Sequence, residues 1–194
     1  MLGHPAFAFL WCSRVLANVA FQMLGVAVGW QLYELTGSAL DLGLVGLAQF
    51  VPMVLLTLIV GQVADRYDRR LVAATCQIVE AGAAALLVVG TLGSWLSNTS
   101  IFAIVSLVGA ARAFESPATT ALVSDVVARP LIARAMAWLI SANQTAQIVG
   151  PAIAGAMIDR GLLTTWALWA ALIMGLALLL NLKATAGRLS PAAP

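Results

Sequence analysis

Three ionisable residues lie deep inside apolar stretches of the sequence, where a charge needs a physical reason. Glu80 lies in one stretch, and Arg112 and Glu115 lie together in the next. A charged side chain at the centre of a membrane-spanning helix costs about 2.5–3.5 kcal/mol by insertion measurements. Because Arg112 and Glu115 stand at positions i and i+3, a helix places them on one face, where they can form an ion pair.

The depth of the three residues in their helices predicts that they meet. At about 1.5 Å per residue, each lies roughly 13–18 Å from the same membrane surface. One interpretation is a static ion pair that holds helices together, and the other is a proton or substrate site whose carboxylate titrates during transport. The sequence leaves both open for Arg112 and Glu115, and it favours the structural interpretation for Glu80 alone.

Polar and small residues recur at helical spacing on one face of three apolar stretches. They are Arg14, Asn18, Gln22, Gly25 and Gly29; Gly109, Arg112, Glu115, Ser116 and Thr119; and Asn143, Gln147, Gly150 and Ala154. Close helix packing through small residues explains the glycines. A water-lined cavity explains Asn18, Gln22 and Arg112 better, so we expect a substrate or proton path lined by Asn18, Gln22, Glu80, Arg112 and Glu115.

The amino-acid composition indicates whether the helices that carry these residues face water or lipid. The sequence is 62% hydrophobic and 9% charged, whereas a soluble domain is about half apolar and about a quarter charged. A helix needs roughly 20 apolar residues to cross the hydrocarbon of a bilayer, which leaves room for about six helices. We therefore predict an all-α membrane protein with six transmembrane helices in residues 1–183 and a polar tail in 184–194. The spans are 7–33, 42–64, 71–92, 101–123, 135–158 and 163–182.

The distribution of Lys and Arg predicts the orientation in the bilayer. Six spans put both termini on one side, and nearly all basic residues outside the spans fall on that side. The members of this set are Arg66, Arg69, Arg70, Arg129, Arg134, Lys183 and Arg188, with Arg14 near them. We expect both termini to be cytoplasmic.

Missing residue types argue against several other functions. The single lysine, Lys183, follows no glycine-rich loop, which excludes a phosphate-binding Walker motif. The single histidine, His4, excludes a HExxH zinc site and disfavours a Ser/His/Asp triad. No basic stripe suits nucleic acid, and Cys12 and Cys76 are expected to be buried thiols. We predict no enzyme activity, metal, cofactor or nucleic-acid partner.

The loop after the second span carries a recognisable motif. Residues 61–70 read GQVADRYDRR, which resembles the signature G-x-x-x-D-R-x-G-R-R between the second and third helices of the major facilitator superfamily. Asp68 stands where that pattern has glycine. Residues 30–38, 43–46 and 112–118 resemble the enterobactin-exporter-like branch of this superfamily. The resemblance implies a half of that fold, with two three-helix inverted repeats.

The resemblance also implies roles for the loop residues. Gly61 would permit close helix packing, and Asp65 would bond near a helix end in the opposite half. Arg69 or Arg70 would pair with Asp125 and latch one conformation, although an anchor for membrane orientation is the simpler alternative. The implied gating motif is Gly61, Asp65, Arg66, Arg69, Arg70 and Asp125.

A second motif resembles the fifth-helix antiporter motif of the superfamily. It contains Gly150, Pro151 and Gly155, with Ala154 in place of one glycine, and it favours export over import. The resemblance implies proton-coupled efflux of a small drug- or siderophore-type molecule by alternating access. Since such transporters have two six-helix halves, we expect a second half as partner, beside the lipid bilayer and the substrate. The alternative is a truncated or accessory membrane protein without transport activity.

Overall fold

Five long helices form the described structure. The computed structural model describes residues 5–127, 129–159, 173, 175–177 and 179. No strand occurs in these ranges, so this part is all-α. The helices are α1 (Pro5–Thr36), α2 (Ala39–Arg66), α3 (Arg69–Leu92), α4 (Asn98–Val126) and α5 (Ile132–Asp159), and a 3-10 turn covers Arg129–Leu131.

These helices confirm the first five predicted segments and extend most of them by a few residues. The difference arises because apolar runs mark the hydrocarbon-facing part of a helix, whereas hydrogen bonding continues into polar terminal turns. The predicted sixth span, 163–182, falls mostly outside the described residues, as do the tail and Arg160, Lys183 and Arg188.

Local hydrogen bonds explain where the helices start and stop. Gly37 has φ +64°, a conformation that glycine adopts without strain, and its amide donates to the Tyr33 carbonyl at 2.8 Å. Asp68 is the N-cap of α3, where its carboxylate accepts from the Arg70 amide at 2.9 Å. Ser97 caps α4 in a reciprocal capping box with Ser100. The short connections therefore fold neighbouring helices back on each other.

Helix α4 packs against both α2 and α3, while α1 packs mainly against α5. Small residues permit the closest approaches. A Cβ atom added to Gly109 on α4 would lie 2.2 Å from the Gln49 carbonyl oxygen on α2. One added to Gly150 on α5 would lie 2.5 Å from the Gln22 Cβ on α1. Both contacts are helix-to-helix packing of the kind that glycine allows inside membranes.

Large apolar side chains on the outer surface of the helices indicate that this surface faces lipid. Leu47 is 53% exposed and Leu55 is 63% exposed, both on α2. Within the described residues, four helices are long and apolar enough to cross a membrane, namely α1 to α4. Helix α5 carries Asn143, Gln144 and Gln147 and falls outside this group. The apolar outer faces of α1 to α4 suit contact with lipid, as a multi-pass membrane protein requires.

We predict that Gly109→Ala lowers the free energy of unfolding by about 1–3 kcal/mol, because the new methyl group must push α4 away from the α2 backbone. The matched control is Gly82→Ala, since a Cβ there meets nothing within 4 Å. Unfolding in mixed detergent micelles, followed by circular dichroism, measures both. Equal stability of the two variants would contradict the close α2–α4 contact.

Candidate functional site

Glu115 is the centre of a buried ion cluster. Its side chain is 0% exposed, and Arg14 Nη1 lies 2.7 Å from its Oε1. Arg112 Nη1 donates to its Oε2 at 3.1 Å, and Gln77 Nε2 donates to Oε1 at 3.3 Å. Two cations and an amide thus surround one carboxylate, which offsets the cost of burying it.

Glu80 belongs to the same buried ion cluster but has fewer partners than Glu115. It is also 0% exposed, and its Oε1 lies 3.9 Å from Arg112 Nε. Among the described residues, neither carboxylate oxygen of Glu80 has a hydrogen-bond partner. The two buried carboxylates therefore share Arg112, but only Glu115 is also held by Arg14.

Three helices supply this cluster, each through a pair of residues at helical spacing. Helix α1 supplies Arg14 and Asn18, α3 supplies Gln77 and Glu80, and α4 supplies Arg112 and Glu115. Side chains three or four positions apart lie on one helix face, so each helix presents both of its members to the others. We call Arg14, Glu80, Arg112 and Glu115 the four-charge cluster; its formal charge is zero when all four are ionised.

A groove of about 1010 Å³ borders the cluster on one side. Helices α1, α2, α4 and α5 line it, and the Arg112 guanidinium carbon lies 3.7 Å from the centre of the Phe21 ring. The carboxylates of Glu80 and Glu115 are not part of the lining, because the arginines stand between them and the groove. The lining includes Arg14, Asn18, Phe21, Phe50, Arg112 and Asn143.

The structure separates the residues expected along the path. Asn18 lies at the groove and accepts a hydrogen bond from Arg112 Nη1 at 3.2 Å. Glu80, Arg112 and Glu115 lie together beside it. Gln22 does not line the groove, and its Cβ faces Gly150 at the α1–α5 contact instead.

The loop motif lies at the junction of α2 and α3, at the opposite end of these helices from the turn at Gly37. Arg66 is exposed, and Arg69 and Arg70 are half-buried. Gly61 belongs to α2, while the side chains of Asp65 and Asp125 lie outside what the structure describes. Asp68 replaces the glycine of the superfamily pattern and caps α3.

The motif of the fifth helix is only partly a packing motif in this structure. Gly150 contacts α1, and Ala154 is 1% exposed. Pro151 lies inside α5, where it removes one backbone hydrogen bond. A Cβ added to Gly155 would meet no described atom within 4 Å. Gly155 therefore makes no close contact within the described part of the chain.

Sequence reasoning put Arg14 on the polar face of the first helix but not among the path residues, and it did not single out Gln77. Arg14 was placed near the cytoplasmic surface, yet it follows Pro5, the first residue of α1, by enough turns to lie roughly 14 Å inside. That depth matches the other members of the cluster. Gln77 precedes Glu80 by one helical turn, and this spacing was the available signal.

We predict that Arg112→Met lowers the free energy of unfolding by about 3 kcal/mol or more, because it leaves the buried Glu80 without its cation. Adding Glu80→Gln should recover part of that loss. Arg129→Met is the control, since Arg129 is exposed. Unfolding in mixed micelles measures the series, and strictly additive losses in the double variant would contradict the pairing.

The chain is similar in sequence to known membrane transport proteins. The family described as transmembrane secretion effector matches residues 1–190. Macrolide efflux protein A of Streptococcus pyogenes is 24% identical over 148 residues, which is 76% of this chain and 36% of that protein. Enterobactin exporter EntS of Shigella flexneri is 30% identical over 169 residues, which is 81% of this chain and 38% of that protein.

The chain thus spans well under half the length of these curated relatives. Its family match covers nearly the whole chain, and the family is one of transporters. The loop motif and the apolar helices agree with that match. The chain belongs to the transmembrane secretion effector family, in the enterobactin-exporter-like branch of the major facilitator superfamily.

Proposed function

We propose that the chain forms the N-terminal six-helix half of a secondary active transporter that exports a small organic molecule in exchange for protons. The observation that carries this proposal is the four-charge cluster buried beside an open groove. Charges inside a membrane protein mark substrate or proton pathways more often than they serve stability alone. The names of the two relatives, an efflux protein and an exporter, support the outward direction.

The groove supplies one wall of the proposed substrate path. Helices α1 and α4 carry its charged residues, and α2 and α5 form its flanks. A path between two halves needs a second wall, so we propose a second six-helix half as partner, in line with the greater length of the relatives. Alternating access would then rock the two halves around the groove.

Unequal pairing within the cluster provides a coupling mechanism. Glu80 contacts one arginine at 3.9 Å, whereas Glu115 contacts two arginines at 2.7 and 3.1 Å. A proton bound to either carboxylate removes one negative charge and leaves the cluster with a net charge of +1. Because α1, α3 and α4 meet at this cluster, the change alters the attraction between them. Protonation would in this way bias one arrangement of the helices over the other.

The charged residues of the loop motif would hold one conformation of the transporter closed at a membrane surface. We place Asp65, Arg66, Arg69, Arg70 and Asp125 at the cytoplasmic surface, where opposite charges could latch one conformation. This orientation rests on the excess of basic residues on the side of both termini. The proposed location is the inner membrane of a bacterium.

We expect Glu115→Gln to reduce efflux driven by a pH gradient at least about tenfold, since the site can no longer release a proton. Substrate exchange without a gradient should persist, because exchange needs no net proton movement. Inverted vesicles from cells that co-express the chain and its second half measure both, with a macrolide and enterobactin as test substrates. Glu80→Gln tests the second carboxylate in the same way.

The control for both glutamine variants is Glu34→Gln, because Glu34 is exposed at the end of α1. It removes a carboxylate of the same type without touching the cluster. Full gradient-driven efflux by Glu115→Gln would rule out its coupling role, and the absence of flux in the unmodified protein would rule out the transport proposal.

A matched pair of loop variants separates a gate from a membrane anchor. We expect Asp65→Asn to lower efflux severalfold, while Asp68→Asn leaves efflux unchanged, because asparagine caps a helix about as well as aspartate. Both changes make the loop more positive by one charge. An anchor responds only to that charge, so equal effects of the two variants on efflux and on membrane orientation would contradict the gate.

A further inference from the structure

The described lining of the groove carries positive charge and no negative charge. Of the described residues that line it, Arg14 and Arg112 are the charged ones. Their side chains are 13% and 16% exposed, whereas those of Glu115 and Glu80 are 0% exposed. The cluster is neutral as a whole but polarised across its thickness, with cations towards the groove and carboxylates behind them.

Arg112 also keeps hydrogen-bonding capacity for a ligand. A guanidinium carries five N–H donors, and the contacts of Arg112 within the described part of the chain use Nη1 and Nε. The Arg112 side chain is 16% exposed and lines the groove, so its guanidinium can meet a ligand there. A planar guanidinium with accessible donors binds carboxylate and similar anions strongly and with defined geometry.

Aromatic and apolar surface surrounds these donors. The Phe21 ring stacks on the Arg112 guanidinium at 3.7 Å, which fixes its orientation. Phe50, Met53 and Met136 extend the apolar wall along the groove. Asn18 and Asn143 add neutral polar groups. This combination suits a molecule with an apolar body and one anionic group.

We propose that the groove binds an amphipathic organic anion, whose charged group contacts Arg112 beside Arg14 and whose apolar body lies against Phe21 and Phe50. This inference deepens the proposed function and rests on it for the transport of that anion. A cationic molecule of the same shape would meet two guanidinium groups without a facing carboxylate. The groove therefore selects against cations by repulsion as well as for anions by attraction.

Three probes with one scaffold test the charge preference: 1-pyrenebutanoate, 1-pyrenebutanamide and 1-pyrenebutylammonium. Their equilibrium binding is measured on the full chain in phosphatidylcholine nanodiscs, with and without the co-expressed second half, after subtraction of binding to empty nanodiscs. We expect the carboxylate to bind at least about ten times more tightly than the amide, and the ammonium to bind most weakly. Equal binding of acid and amide, or tightest binding of the ammonium, overturns the proposal.

A paired variant tests the residue that carries the preference. Arg112→Gln with Glu80→Gln removes one charge of each sign and avoids leaving a carboxylate unpaired. We expect this variant to lose most of the acid-over-amide preference. Arg134→Gln, at an exposed position on α5 outside the groove lining, should keep it. A preserved preference in the paired variant overturns the assignment to Arg112.

Efflux of the same three probes from vesicles distinguishes this inference from the proposed function. Tighter binding of the acid without flux of any probe supports the binding site and overturns transport. Flux of the amide or the ammonium with no preference for the acid supports transport and overturns the charge preference. Preferential binding and efflux of the acid support both.

Discussion

Pairing of charges in a low-dielectric interior is the constraint on which the arrangement of α1, α3 and α4 depends. Glu115 contacts Arg14 on α1 and Arg112 on its own helix, while Glu80 approaches Arg112 from α3. An unpaired charge would destabilise this buried site, because desolvation of an unpaired ion costs several kcal/mol. The apolar contacts between these helices are non-directional, whereas the ion pairs fix which turn of each helix faces which. The four-charge cluster thus sets both the depth and the rotation of α1, α3 and α4 relative to one another.

Small residues make this arrangement sterically possible. Gly109 lies one turn from Arg112 on α4, and it brings the α4 backbone against Gln49 on α2. Gly150 brings α5 against α1 near Gln22. Lipid offers apolar side chains no hydrophobic gain from associating, so close packing and polar contacts must hold the helices together. The glycines supply the close packing between helices, and the four-charge cluster supplies the polar contacts beside the groove.

Much of this was predictable from the sequence, and the exceptions have physical causes. Apolar runs located five helices, and equal depth brought Glu80, Arg112 and Glu115 to one level. The depth of Arg14 was predicted too close to the membrane surface, because the apolar run of α1 has no sharp polar boundary at its start. Helical spacing put Gln22 on the face of Asn18, but spacing shows only which residues share a face. Which neighbouring helix covers each part of that face depends on packing, and α5 covers Gln22 through Gly150.

Arg112 connects the two proposed activities of the site. Its Nε side faces Glu80, its Nη1 bonds Glu115 and Asn18, and its side chain is 16% exposed at the groove. An anion bound in the groove would draw Arg112 forward and weaken its attraction for Glu80, which favours a proton on that carboxylate. A deprotonated Glu80 would draw Arg112 back and weaken anion binding. A proton on Glu80 and an anion in the groove both free Arg112 from Glu80, so each strengthens the binding of the other, and a shared arginine is the simplest way in which this cluster could make anion binding depend on protonation.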